Sequence, residues 1–196
     1  MRVLLATTCL TPIALLAAHP ATAQTSISTA TTTPVKTTTS GDTTITSAGS
    51  VTVTSGTAVT VDSNNTVNNQ GTVQITNADG STGIGTVAGG SGTITNSGKI
   101  IVSETYTPTD ADNDGDLDGP FASGTGRAGI RTAGAFTGSI TNTSTGAITV
   151  QGNDSYGILL GGPLNGNLSV DGTVTLAPFA LGLNLLATGA VVLART

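Results

Sequence analysis

The chain has 196 residues, enough for one domain, with 9% charged and 3% aromatic residues, 27 glycines and a net charge of −5. Lys and Arg total only six, which argues against nucleic acid and against an anionic membrane surface, since both are bound by basic clusters. The β-branched residues recur in register along the chain, as a disordered segment has no need to do.

Residues 1–23 read as a secretory signal. Arg2 gives the positive start, Val3 to Ala18 the apolar segment, and Ala21-Thr22-Ala23 an A-x-A cleavage site ahead of Gln24. Thr7, Thr8, Thr11 and Pro12 interrupt the apolar run, so it is a poor membrane anchor. Removing the signal removes the only Cys (Cys9), the only Met (Met1) and the only His (His19). The mature chain then has no thiol or imidazole for nucleophilic catalysis, no disulfide and no His/Cys zinc site. The expectation is a protein that is not an enzyme.

Residues 24–44 are dominated by Thr and Ser and show no apolar periodicity. They read as an extended, flexible leader, able at most to pair weakly as an edge strand.

From Ile45 a grammar repeats. An apolar residue is followed by Gly at plus four and apolar residues at plus six and plus eight, as in Ile94-Thr95-Asn96-Ser97-Gly98-Lys99-Ile100-Ile101-Val102. Copies start at 45, 67, 94, 140, 168 and 185, with intervals of 22, 27, 46, 28 and 17 residues between successive starts. The fourth copy carries two extra residues before its Gly146. Short strands around a Gly turn, at a period in the twenties, are the signature of a solenoid. The expected fold is all-β: a right-handed parallel β-helix of about six short rungs over residues 45–196. One inward stack would be Ile45, Val67, Ile94, Ile140, Leu168 and Leu185. A second would be Val51, Val73, Ile100, Ile148, Val174 and Val191. Gly at plus four is expected to supply positive φ. Asn69, Asn96 and Asn142 share the plus-two position and are expected to form a ladder of side-chain hydrogen bonds. Gly83-Ile84, Gly129-Ile130, Gly157-Ile158 and Gly182-Leu183 mark a third inward strand, giving a three-sided coil.

The 46-residue interval holds an insertion, residues 103–126, and solenoids grow surface loops in this way. It carries Asp110-Ala111-Asp112-Asn113-Asp114-Gly115-Asp116-Leu117-Asp118, five of the chain's eleven carboxylates within nine residues. The D-x-D-x-D-G order matches the start of an EF-hand calcium loop. Asp110, Asp112 and Asp114 would ligate through side chains, Asp116 through its carbonyl and Asp118 through water. Phe121 stands where a bidentate Glu would, and Pro108 and Pro120 leave no helical flank. The loop therefore reads as a weak Ca2+ site of the helix-less secreted kind, against the alternative of a solvated acidic surface. Catalytic carboxylates assisted by Arg127 and Arg131 are a further alternative, which a flexible Gly/Asp loop supports poorly.

With its signal, Thr/Ser leader, I-T-N-x-G-x-I-x-V rungs and Asp loop followed by Gly124-Thr125-Gly126-Arg127, the sequence resembles the N-terminal passenger of a Gram-negative autotransporter over its whole length. The resemblance implies a β-helix exported to the cell surface or the medium through a C-terminal β-barrel. It implies a structural or adhesive role in adhesion, aggregation or biofilm formation, with host or neighbouring-cell surface molecules, or further copies of itself, as partners. The family's barrel is missing from this sequence, so residues 1–196 read as a C-terminally truncated fragment. Two other functions stay open: a calcium-binding secreted solenoid module, and a polysaccharide-acting β-helix enzyme.

Overall fold

The computed structural model describes residues 23–177, 181–184 and 191–193; the expected signal, and Leu185 and Gly189 of the last repeat, lie outside them. The chain is a parallel β-helix of three sheets, each built from one strand per coil except that in the first sheet both Leu164–Asn165 and Leu168–Val170 pair with Phe136–Asn142. The first sheet stacks Gln24–Ile27, Asp42–Ile45, Thr66–Asn69, Gly90–Asn96, Phe136–Asn142, Leu168–Val170 and Val191–Leu193. The second stacks Ala30–Thr31, Ser50–Val53, Thr72–Thr76, Lys99–Ser103, Ala147–Gln151 and Thr173–Ala177. The third stacks Val35–Lys36, Thr57–Val61, Thr82–Thr86, Ala128–Thr132, Tyr156–Leu160 and Leu181–Asn184.

Strands such as Ser50–Val53, Thr72–Thr76 and Ala147–Gln151 alternate inward apolar and outward polar residues, and parallel pairing places like on like at the strand spacing of about 4.8 Å. In the second sheet Val51, Val73, Ile100, Ile148 and Val174 lie in one register. In the third, Val59, Ile84, Ile130, Ile158 and Leu183 do so. Leu183 apart, these residues, with Val67, Ile94, Ile140 and Leu168 of the first sheet, run as one core along the axis, and Phe136 is the one aromatic ring in it among the described residues. Burying an aliphatic side chain of this kind contributes roughly 1.5–3 kcal/mol, most of it offset by chain entropy.

Three sequence expectations are corrected. Residues 24–44 are not a loose leader: Gln24–Ile27, Ala30–Thr31 and Val35–Lys36 form the first coil and pair with the second in all three sheets, and Asp42–Ile45 begins the second. The first coil's strands are short and rich in Thr and Ser, so they carry little apolar signal of their own. Second, Val67 lies opposite Thr43, and Ile45 lies opposite Asn69. Thr43 is buried, its hydroxyl donating to the Gly41 carbonyl at 3.1 Å, so a hydroxyl residue holds the inward site that apolar counting gave to Ile45. Third, Val191 stacks on Leu168 in the first sheet and does not follow Val174 in the second.

The plus-four glycines do not owe their place to positive φ. Gly49, Gly71, Gly98, Gly146 and Gly172 have none. A Cβ on Gly71 would lie 2.2 Å from the Gly49 carbonyl oxygen, one on Gly98 2.2 Å from that of Gly71, and one on Gly172 2.2 Å from that of Gly146. The corner of each coil rests on the carbonyl of the coil before it, and only a residue without a side chain fits between.

Candidate functional site

Two polar constructions interrupt this repetitive frame. The first is internal. Asn69, Asn96 and Asn142 lie in one register of the first sheet and are fully buried. Asn69 Nδ2 donates to Asn96 Oδ1 at 2.7 Å, and Asn96 Nδ2 to Asn142 Oδ1 at 2.7 Å. Asn142 Nδ2 ends the row on the carbonyls of Gly146 and Thr173, at 3.3 and 3.4 Å. Ile45 closes the row at one end and Val170 at the other. Because Ile45 offers no donor, Asn69 Oδ1 is buried without a hydrogen bond. The row holds coil to coil and presents nothing to solvent.

The second is the insertion. It leaves the second sheet after Ser103 and rejoins the third at Ala128. Its two ends are tied by Arg127, whose side chain is 2% exposed. The guanidinium donates through Nε to the Ala78 carbonyl at 3.0 Å, through Nη1 to the Gln151 carbonyl at 3.0 Å and to the Glu104 carboxylate, and through Nη2 to Asp79 Oδ1 at 3.2 Å. Arg127 thus joins the coil below, the coil above and the first residue of the insertion. Glu104 also accepts the amides of Ser123 and Gly124, each at 2.7 Å. Burial pushes the Glu104 carboxyl up, but the Ser123 amide, the Arg127 guanidinium and the Gly124 amide together hold it below the usual carboxylate range. Glycine is required around this cation: a Cβ at Gly124 would fall 1.9 Å from Arg127 Nη2, and one at Gly152 would fall 2.1 Å from the Gly124 carbonyl oxygen. Each nitrogen of the Arg127 guanidinium is engaged by a protein acceptor, four hydrogen bonds in all, and the side chain is buried, so it is not placed to bind a substrate.

Above this clasp, Thr109 and Gly119 pair as an antiparallel bridge, with Thr109 N–H donating to the Gly119 carbonyl at 2.7 Å. The acidic tip lies between them. The Gly115 amide donates to Asp110 Oδ2 at 3.1 Å, the Ala111 amide to Asp118 Oδ2 at 2.7 Å, and the Asp114 amide to Asp112 Oδ1 at 3.3 Å. Carboxylate oxygens of Asp110, Asp112 and Asp118 lie within 4.8 Å of one another. Asp114 and Asp116 are not in that group; Asp114 Oδ1 instead accepts the Asp116 amide at 3.1 Å. Leu117 stands 54% exposed at the tip.

The three gathered residues fit a hard cation. Oxygens that ligate one Ca2+ at about 2.3–2.6 Å can be no more than about 5 Å apart, and the observed grouping satisfies that limit. Asp110 Oδ1 is buried without a hydrogen-bond partner, which costs free energy unless a cation or water meets it.

Of the insertion's functional groups, the Asp run was legible from spacing. Glu104 and Asp79 were not: they stand 23 and 48 residues from Arg127, and only the coil register brings the three together. No family model, no curated protein and no solved structure matches this chain.

Proposed function

We propose that the chain is a non-enzymatic, exported β-solenoid with a structural or adhesive role at the cell surface, of the autotransporter-passenger kind. The observation that carries this reading is the insertion: one loop standing out from an otherwise regular parallel stack, anchored at its neck by the buried Arg127 to the coils on either side. Such a construction holds a surface loop in a fixed position on a rigid support, which suits display. The outward row Ser26, Thr44, Asn68, Thr95, Thr141 and Ser169 on the first sheet is uncharged, and suits side-by-side contact with another cell-surface molecule or another copy. The test is an in-frame deletion of the gene in its native host, with antibody raised against the purified chain. Expected are surface labelling of intact cells and reduced aggregation or biofilm in the deletion strain. Antigen confined to the cytoplasm would sink the reading.

A second reading, a calcium-binding role for the loop, is favoured by the Asp110, Asp112 and Asp118 grouping and by the orphaned Asp110 Oδ1. Calcium would order the displayed tip. Isothermal titration of the purified chain should give one site with Kd on the order of 0.1–1 mM, as in extracellular modules. Heat changes no larger than those of buffer would remove this reading and leave the first intact.

A further inference from the structure

We propose that a cleft on the third sheet, floored by Gly85 and anchored by Arg131, binds the carboxylate of an acidic sugar. The inference deepens the adhesive reading by naming a ligand class, and rests on it only for where that sugar is met.

The outward row of the third sheet runs Thr60, Gly85, Arg131 and Leu159 across four successive coils. At Gly85 the row has no side chain. A Cβ there would meet Thr57 Cγ2 at 3.0 Å, so Thr57 leans over the gap. The result is a cavity of about 200 Å³ bounded by Thr57, Thr82, Thr86, Gly80 and Arg131. Thr82 and Thr86 are only 4% and 5% exposed although they belong to an outer sheet.

Apart from the Thr86 hydroxyl, which donates to the Val87 carbonyl at 3.3 Å, the polar side chains around this cavity are uncommitted. Arg131 is exposed and makes no ion pair or hydrogen bond among the described residues, and neither do the Thr57 and Thr82 hydroxyls. Asp79, next in sequence to the lining Gly80, is already held by Arg127 and by the Thr125 amide. An unpaired guanidinium offers a planar fork that matches a carboxylate with two parallel hydrogen bonds. The cavity is smaller than the roughly 300–1,000 Å³ of whole-ligand pockets, so it takes one ring-sized unit. Its lining is Thr57, Thr82, Thr86, Ala133, Arg131 and two glycines, with no large apolar side chain to hold a bulky hydrophobic group, whereas Thr57 and Thr82 can exchange hydrogen bonds with sugar hydroxyls and the threonine methyls can pack against a ring face. A single unit held this way binds with a Kd on the order of 1–10 mM, and repeated units on a polymer add avidity.

The experiment is a ¹H–¹⁵N NMR titration of the purified chain with glucuronate, with glucose and acetate as controls. Glucuronate is expected to shift the amides of Gly80, Gly85 and Ala133, saturating in the millimolar range. Arg131→Gln should weaken this at least about 10-fold, and Gly85→Ser, which fills the floor and leaves the guanidinium, should weaken it comparably. Glucose should give no shifts. Absence of shifts with glucuronate overturns the proposal. So does binding that acetate reproduces at equal affinity, or that survives Gly85→Ser, since either means a bare surface cation. The readout needs no export or adhesion, so it can fail while the passenger reading stands, and the reverse.

Discussion

Glu104 and Arg127 stand at the two ends of the insertion and form a direct ion pair, the carboxylate 13% and the guanidinium 2% exposed. The pair closes the loop's neck and leaves its tip free. Breaking a buried pair from one side strands the other charge, at a cost of about 3–5 kcal/mol. Arg127→Leu should therefore lower unfolding free energy by about that amount in urea titrations and open residues 104–127 to limited proteolysis. Glu104→Gln keeps one acceptor and should cost less. If Arg127→Leu leaves both stability and cleavage unchanged, the clasp does not hold the loop.

The same carboxylate sets a pH dependence. Glu104 has a folded-state pKa below its unfolded value, and so does Asp62. At Asp62 burial acts upward, but the Thr38 amide at 2.8 Å and the hydroxyls of Thr38 and Thr37 outweigh it. A depressed carboxylate stabilises the fold fully above its unfolded pKa, and that contribution is lost as pH falls through the folded pKa. Stability should thus be flat near neutrality and decline with acid below the ordinary carboxylate range. The double variant Glu104→Gln, Asp62→Asn should be less stable at neutral pH and show a shallower decline. An unchanged slope would mean other groups govern the acid limb.

Glycine at the coil corners gives a sharper test, because two mechanisms predict opposite results. If Gly98 were present for left-handed backbone, Asn would be tolerated there. The structure instead places the Gly71 carbonyl 2.2 Å from a Gly98 Cβ. Gly98→Ala and Gly98→Asn should both cost about 3 kcal/mol or more, since backbone must move. Gly56, with φ of +75° and open space around it, should accept Asn within about 0.5 kcal/mol. Thermal melts of the three variants decide between the accounts.

These contrasts also show what a one-dimensional reading could reach. Ile84, Ile130 and Ile158 stack as the spacing of their Gly-Ile pairs predicts, because a parallel solenoid converts sequence period directly into register. Apolar spacing is silent where the inward residue is not apolar. Thr43 carries no hydrophobic signal, so apolar counting starts the repeat at Ile45, one pleat too late. The first coil, inside the Thr/Ser run, is hidden for the same reason. The clasp was beyond reach on other grounds: Asp79, Glu104 and Arg127 form no local motif, and their meeting depends on an insertion returning to the register it left.

The buried amide row predicts a gradient along its length. Asn96 both donates and accepts within the row, whereas Asn69 Oδ1 already lacks a donor. Asn96→Ala would take an acceptor from Asn69 Nδ2 and the donor from Asn142 Oδ1 together, costing about 2–4 kcal/mol, while Asn69→Ala orphans only Asn96 Oδ1 and should cost about 1–2. Asn69 Nδ2 keeps a 3.1 Å bond to the Lys99 carbonyl in the Asn96 variant, which sets the lower end of that range. Equal losses in denaturant titration would mean that the residues act through packing volume alone.

Calcium should act on the tip through particular carboxylates. Asp110, Asp112 and Asp118 converge, and Asp114 and Asp116 do not. If the cation sits among the three, Asp110→Asn should weaken calcium binding at least about 10-fold, because it removes a charge and a carboxylate oxygen from the residue whose Oδ1 is buried without a protein partner. Asp116→Asn removes the same charge from the same loop and should change binding by no more than about 2-fold, a through-solvent effect that added salt suppresses. The pair of variants separates a built site from a diffuse acidic field. Equal weakening by both, abolished in high salt, would assign the loop to the solvated surface, whereas loss confined to Asp110→Asn and insensitive to salt places the ion against Asp110 Oδ1. Far-UV spectra should stay the same in both variants, since the tip lies outside the coils and Arg127 holds the neck whether or not the tip is filled.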